Sequence, residues 1–181
     1  MTSVMKTAMI SVLLKKRVKM MRKITTKEIT LFALLMALTV IMTMIIRIPT
    51  LNGYINLGDM VLLFTGMFLG KKAGFFVGGF GSALADILTG YAYYAPFTFI
   101  VKGLEGFICG WIFKKTGYQK PAFATLPAGL FMVFGYFIVS YLMYGIGGAI
   151  ASIPGNLVQG IVGAIGAILL EKSLGKKVIK N

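Results

Sequence analysis

Residues 97–115 read FTFIVKGLEGFICGWIFKK, and this stretch decides the fold. It is apolar almost throughout and closes on Lys114 and Lys115. Its length suits one helical crossing of a hydrocarbon core of about 30 Å. Two charges, Lys102 and Glu105, interrupt it. Being three residues apart, they share one helical face. A charge at membrane depth is costly, so each needs a partner or a function.

The same grammar extends in both directions. Lys71 and Lys72 separate one pair of apolar runs, and Lys114, Lys115 and Lys120 separate another. Lys6 to Lys27 precede the first run and Lys172 to Lys180 follow the last. The alternate gaps, around Asn52, Tyr93 and Gly147, hold almost no Lys or Arg. This is the positive-inside pattern. It predicts an all-α membrane protein of six transmembrane helices in a compact bundle, with both termini cytoplasmic. The expected spans are 29–46, a short one over 60–69, 73–88, 97–113, 122–144 and 153–170. The second, too short to cross alone, requires shelter from its neighbours. Gly145, Gly147 and Gly148 are expected to form an outer turn, and Pro154-Gly155 to open the last helix. Gly74, Gly78 and Ser82 form a small-residue stripe suited to close helix packing.

The chain has 181 residues, 57% of them hydrophobic, and a net charge of +14. That apolar content requires lipid as the main solvent. The charge would suit nucleic acid, but its placement at the inner ends of apolar runs suits anionic headgroups instead. Residues 24–175 form the membrane domain, and 176–181 a basic cytoplasmic tail. Residues 1–23 form a basic extension: either an interfacial helix or a dispensable stretch ahead of a start at Met20 or Met21.

There is no histidine and one cysteine, Cys109. A disulfide and a cysteine-based metal site are excluded, and the commonest general base is missing. The sequence from Gly66 to Lys71 is one residue short of a phosphate-binding loop and lacks its Ser/Thr, so ATP hydrolysis is not expected of this chain. No metal site, cofactor or catalytic constellation is expected, and the chain is not read as an enzyme.

The polar residues at membrane depth are the candidate site. Asp86 closes the third span and is expected to approach Lys102 and Glu105 from its neighbouring helix. The three form either a helix clamp or the lining of a ligand cavity. Asp59 is expected to cap the second helix, with Asn56 capping or facing a ligand. Asn156 and Gln159 share a face of the last span. Tyr91, Tyr93 and Tyr94 crowd one outer loop, either as an interfacial belt or as a lid stacking on a ring-shaped ligand.

The first span carries Ala33-Leu-Leu-Met-Ala37, and Asn56-Leu-Gly-Asp59, Phe68-Leu-Gly-Lys-Lys72 and Gly81-Ser-Ala-Leu-Ala-Asp86 follow. With six short spans and a basic inner side, residues 24–175 resemble the S components of energy-coupling factor (ECF) vitamin transporters. The resemblance implies a substrate-specificity subunit of an ABC-type importer in a prokaryotic cell membrane. It implies docking through Ala33 and Ala37 on a transmembrane coupling (T) subunit, with two cytoplasmic ATPase subunits consuming the ATP. It also implies an outer ligand site where Lys102, Glu105, Asn156 and Gln159 fall. The pattern looks most like the subgroup for pyridoxine or hydroxymethylpyrimidine. The competing reading is a stand-alone channel or secondary transporter for a small polar solute.

Overall fold

The structure is a computed structural model describing residues 25–50 and 53–175. The basic extension over 1–23 and the tail over 176–181 lie outside the described residues. The chain divides into two units, Met1–Leu31 and Phe32–Asn181. In the first, Thr25 and Glu28 form a capping box at the start of α1 (Thr26–Ile45). The Glu28 amide donates to Thr25 Oγ1 (3.3 Å), and the Thr25 amide donates to Glu28 Oε2 (2.9 Å). Two of the helix's orphan donors are thereby satisfied.

In the second unit, α1 buries only a narrow stripe, Leu35, Thr39 and Thr43, at a spacing of four. Leu34, Leu38, Ile41 and Ile45 face outward, as a lipid-facing helix requires. Then come a hairpin, β1 (Ile48–Thr50) and β2 (Gly53–Ile55), and the helices α2 (Gly58–Leu69), α3 (Lys71–Leu88), α4 (Ala95–Lys115) and α5 (Pro121–Leu170). A π-helical turn, Glu171–Gly175, ends the described chain. The helices α1, α4 and α5 are long and apolar enough to cross a membrane. Among the described residues this membrane protein is all-helical apart from the one hairpin.

Three features differ from the sequence expectation. The polar loop after α1 is a hairpin, with Ile48 opposite Ile55 and Pro49 opposite Tyr54. Its Ile, Thr and Tyr residues favour extended backbone, and a two-stranded sheet is all edge, where Pro49 is tolerated. Next, the turn between the last two helical runs is narrower than expected: the runs fold back on one another, Gly129 meeting Gly160, about a break at one residue. Gly145 alone breaks α5, at φ 70°, ψ −170°, a region essentially restricted to glycine. Gly147 and Gly148 are already helical, and Pro154 lies inside the helix rather than at its start. Finally, Asp59 is not a cap: Leu57 holds that position without a side-chain bond.

The short α2 is buried along almost its whole length, which supplies the shelter its 12 residues need. Backbone contact with α3 and α4 makes this possible. A Cβ added at Gly66 or at Gly74 would fall on the Gly106 carbonyl, and one at Gly78 on the Lys102 carbonyl. The glycine stripe of α3 therefore seats α4 backbone to backbone and aims Lys102 at the head of α2.

Candidate functional site

Lys102 points inward from α4 and meets two carboxylates. Its Nζ lies 2.5 Å from Asp59 Oδ1 and 3.0 Å from Glu105 Oε2. All three residues are at most 2% exposed. The other Asp59 oxygen accepts from Gln159 Nε2 (3.1 Å) on α5. Gln159 Oε1 in turn accepts from both the backbone amide (3.0 Å) and the side-chain amide (3.1 Å) of Asn56. Asn56 Oδ1 accepts from the Gly58 amide (2.8 Å), turning the chain into α2. One connected network thus ties α4, α2, α5 and the exit of the hairpin. Burying two carboxylates with one ammonium demands such bonding, because uncompensated charge in a low-dielectric interior is costly.

Asp86 approaches Lys102 as expected, in that both line one cavity, but it is not the carboxylate that pairs with it. Lys102 takes Asp59 as its partner, because α2 begins deep among the other helices and carries Asp59 to the ammonium. Asp86, in the last turn of α3, instead accepts from the Tyr54 hydroxyl at 2.6 Å. Burial, followed by the nearby Asp86 charge, holds the Tyr54 hydroxyl well above the ordinary tyrosine range. The Tyr54 and Tyr91 rings lie 5.1 Å apart, and Tyr136 Oη donates to Thr98 Oγ1 at 3.1 Å.

These groups enclose a cavity. Of the sequence-predicted residues, Lys102, Asp86, Asn56, Tyr91, Tyr94, Asn156 and Gln159 line it. Glu105 does not; it is fully buried behind Lys102. Tyr93 does not either, being 52% exposed. Asn156 gives its side-chain amide to the Ser152 carbonyl (2.9 Å). The sequence reading missed Tyr54, Tyr136, Thr43, Ser82, Thr98 and Ser140, which also line the cavity. Their chemistry was legible, but isolated Ser, Thr and Tyr residues in apolar helices carry no signal of which face they occupy. The lining combines aromatic rings with many hydrogen-bonding groups, the composition of a site for a small polar ring.

Ala33 and Ala37 are both exposed on α1, one turn apart.

Comparison with known proteins agrees with this architecture. Residues 23–176 match the family described as ECF-type riboflavin transporter, S component. The thiamine precursor transporter HmpT of Lactococcus lactis subsp. cremoris (strain MG1363) is 36% identical over 166 residues, covering 90% of this chain and 96% of that protein. An uncharacterised protein of Pyrococcus woesei is 41% identical over 140 residues, covering 74% of this chain and 94% of its own. The chain belongs to the S components of ECF-type vitamin transporters.

Proposed function

We propose that this chain captures a small hydroxylated heteroaromatic vitamin or precursor, hydroxymethylpyrimidine or pyridoxine, in the cavity between the hairpin and helices α3 to α5. It delivers the ligand with a T subunit and two ATPase subunits, which consume the ATP. The observation that carries this reading is the lining itself. Tyr54, Tyr91, Tyr94 and Tyr136 offer ring faces, while Asn56, Lys102, Asn156 and Gln159 offer polar edges. Lys102 uses two of its three protons on carboxylates, leaving the third for a ligand acceptor. The name of the Lactococcus relative, a thiamine precursor transporter, supports a pyrimidine.

In this reading the chain crosses a prokaryotic cell membrane six times, α5 providing two crossings on either side of Gly145, with both termini cytoplasmic. Ala33 and Ala37 on α1 form the groove on which the T subunit packs.

The test is to purify the chain alone and with its co-purifying proteins, identify the bound small molecule by mass spectrometry, and titrate the emptied protein with hydroxymethylpyrimidine, pyridoxine and riboflavin. Binding of a pyrimidine or pyridine with associated ATPases is the expected result. Gradient-driven uptake by the chain alone in liposomes would overturn it in favour of a self-sufficient transporter. Cysteine labelling in a Cys109→Ala background checks the topology: Tyr93 is expected to react from outside and Lys115 only from inside.

A further inference from the structure

The ionic groups around the cavity do not balance. Among its lining residues Lys102 is the one cation, and Asp59 and Glu105 already hold its ammonium from behind the wall. Asp86 brings a further carboxylate, in the wall itself. No Lys or Arg among the described residues forms an ion pair with it. Arg47, at the start of the hairpin, is exposed and lies over the Tyr54 ring instead, 5.8 Å from its centroid. A proton on Glu105 would still leave Asp86 without a cation. An ionisable group at membrane depth with no counter-charge in the protein calls for one from a bound molecule.

The Asp86 carboxylate is also open to the cavity. Its polar neighbours are the Tyr54 hydroxyl, which donates to Oδ1 at 2.6 Å, and the Thr98 hydroxyl. Both are neutral donors, and both belong to the cavity wall. Two such donors leave about half of a carboxylate's acceptor capacity unused. Among the described residues, the side-chain oxygens sealed in without a partner are Thr43 Oγ1 and Glu105 Oε1; neither oxygen of Asp86 is among them. Since Asp86 and the groups it touches all line the cavity, its unused capacity is directed there.

We infer that Asp86 is an anionic subsite that selects a basic heteroaromatic ring, an aminopyrimidine above all, by pairing with its N–H donors. An amino group conjugated with a ring nitrogen makes such a ring basic. With a proton from water on that nitrogen, both nitrogens become N–H donors sharing one positive charge, and a carboxylate binds such donors about twice as strongly as a neutral acceptor does. The inference rests on the capture function proposed above and deepens it. The cavity then has two poles of opposite sign, Lys102 for an acceptor on the ligand and Asp86 for its donors. A ring without a basic nitrogen would leave the Asp86 charge unmet and bind more weakly, which is how a buried polar group discriminates.

The test uses the full chain in detergent, emptied of ligand. The probes are hydroxymethylpyrimidine and its analogue with hydrogen in place of the exocyclic amino group, a far weaker base with no amino donor. Where pyridoxine is the tighter ligand, pyridoxine and its analogue with carbon in place of the ring nitrogen take their parts. Asp86→Asn keeps the shape and still accepts from Tyr54, but lacks the charge. Wild type is expected to bind the basic probe about tenfold or more tightly than its analogue, the scale of one charge-assisted hydrogen bond. D86N is expected to lose about that factor for the basic probe and to change little for the analogue. Tyr54→Phe, which keeps the charge and loosens the hairpin, is expected to weaken both probes alike. An equal loss for both probes in D86N would make Asp86 a support of the hairpin only and overturn the inference, as would an unchanged affinity for the basic probe. Equal affinity of the wild-type chain for the two probes overturns it as well, whether or not D86N folds. If no probe binds the wild-type chain, the ring-ligand reading falls and this inference falls with it.

Discussion

Lys102 of α4 and Asp59 of α2, 43 positions apart in sequence, form a fully buried ion pair with 2.5 Å between Nζ and Oδ1. Glu105 adds a second carboxylate from one turn further along α4, and Gln159 holds the other oxygen of Asp59. The pair is at once the clamp between helices and one wall of the cavity. The two roles considered for Lys102 on sequence grounds therefore need not compete.

Removing the ammonium tests the clamp. Lys102→Met leaves Asp59 and Glu105 buried without their cation, and is expected to cost about 3–5 kcal/mol. It will show as a lower melting temperature and a reduced folded yield in detergent. Adding Asp59→Asn and Glu105→Gln to Lys102→Met removes the stranded charges and is expected to recover much of the loss. Failure of the triple variant to recover would mean that the ionic network is not the source of the cost.

The hairpin is held over the cavity by Tyr54 and Asp86. Tyr54→Phe removes a charged hydrogen bond, worth about 1.5–3 kcal/mol, and is expected to speed amide exchange in 48–55 and ligand release. The pH dependence has a definite sign. Folding raises the Tyr54 pKa, so its contribution is intact below the ordinary tyrosine range, about 10, and is lost as pH rises beyond it. Alkaline loosening of the hairpin in wild type, absent in Y54F, is the measurement.

Two glycines of α5 are expected to respond in opposite senses. Gly145 has φ 70° in open space, so Gly145→Ala carries backbone strain alone, about 1–3 kcal/mol. Gly147 is helical, and a methyl group added there would also meet open space, so Gly147→Ala is expected to stabilise by about 0.5–1 kcal/mol. Thermal unfolding of both variants decides whether the helix resumes directly after Gly145.

Gly106 meets the Gly74 backbone where α4 crosses α3. Gly106→Ala is expected to cost about 1–3 kcal/mol by overpacking, because backbone cannot rotate away as a side chain can. Gly129→Ala, whose new methyl would find its nearest neighbour at 3.5 Å, serves as the tolerated control in the same melting assay.

The docking proposal predicts a separation of functions. Ala33→Trp with Ala37→Trp fills the groove on the exposed face of α1, and is expected to abolish co-purification of the T subunit and ATPases while ligand affinity stays normal. Normal assembly of the double variant would exclude this interface.

Much of the architecture was readable along the chain because its causes are local. Hydrophobic runs, the Lys-rich turns and the glycine stripe of α3 each depend on residues close in sequence, and the helices lie within a few positions of expectation. Lys102 and Glu105 were legible as partners because a helix fixes the geometry of a spacing of three. Asp59 was misread for the same reason: beside Gly58 at a helix start, it has the local signature of a cap.

By itself, then, the sequence determined that the chain is a helical membrane protein, where its basic turns fall, and that ionisable residues at membrane depth need explaining. Only the tertiary structure decided that Asp59 rather than Asp86 pairs with Lys102 and that Tyr54 reaches over to Asp86. Those outcomes depend on the depth at which the short α2 begins and on how the hairpin folds back. The first is set by backbone-to-backbone packing among α2, α3 and α4, the second by the bond from Tyr54 to the end of α3. Contacts between residues so far apart in sequence carry no local pattern to announce them.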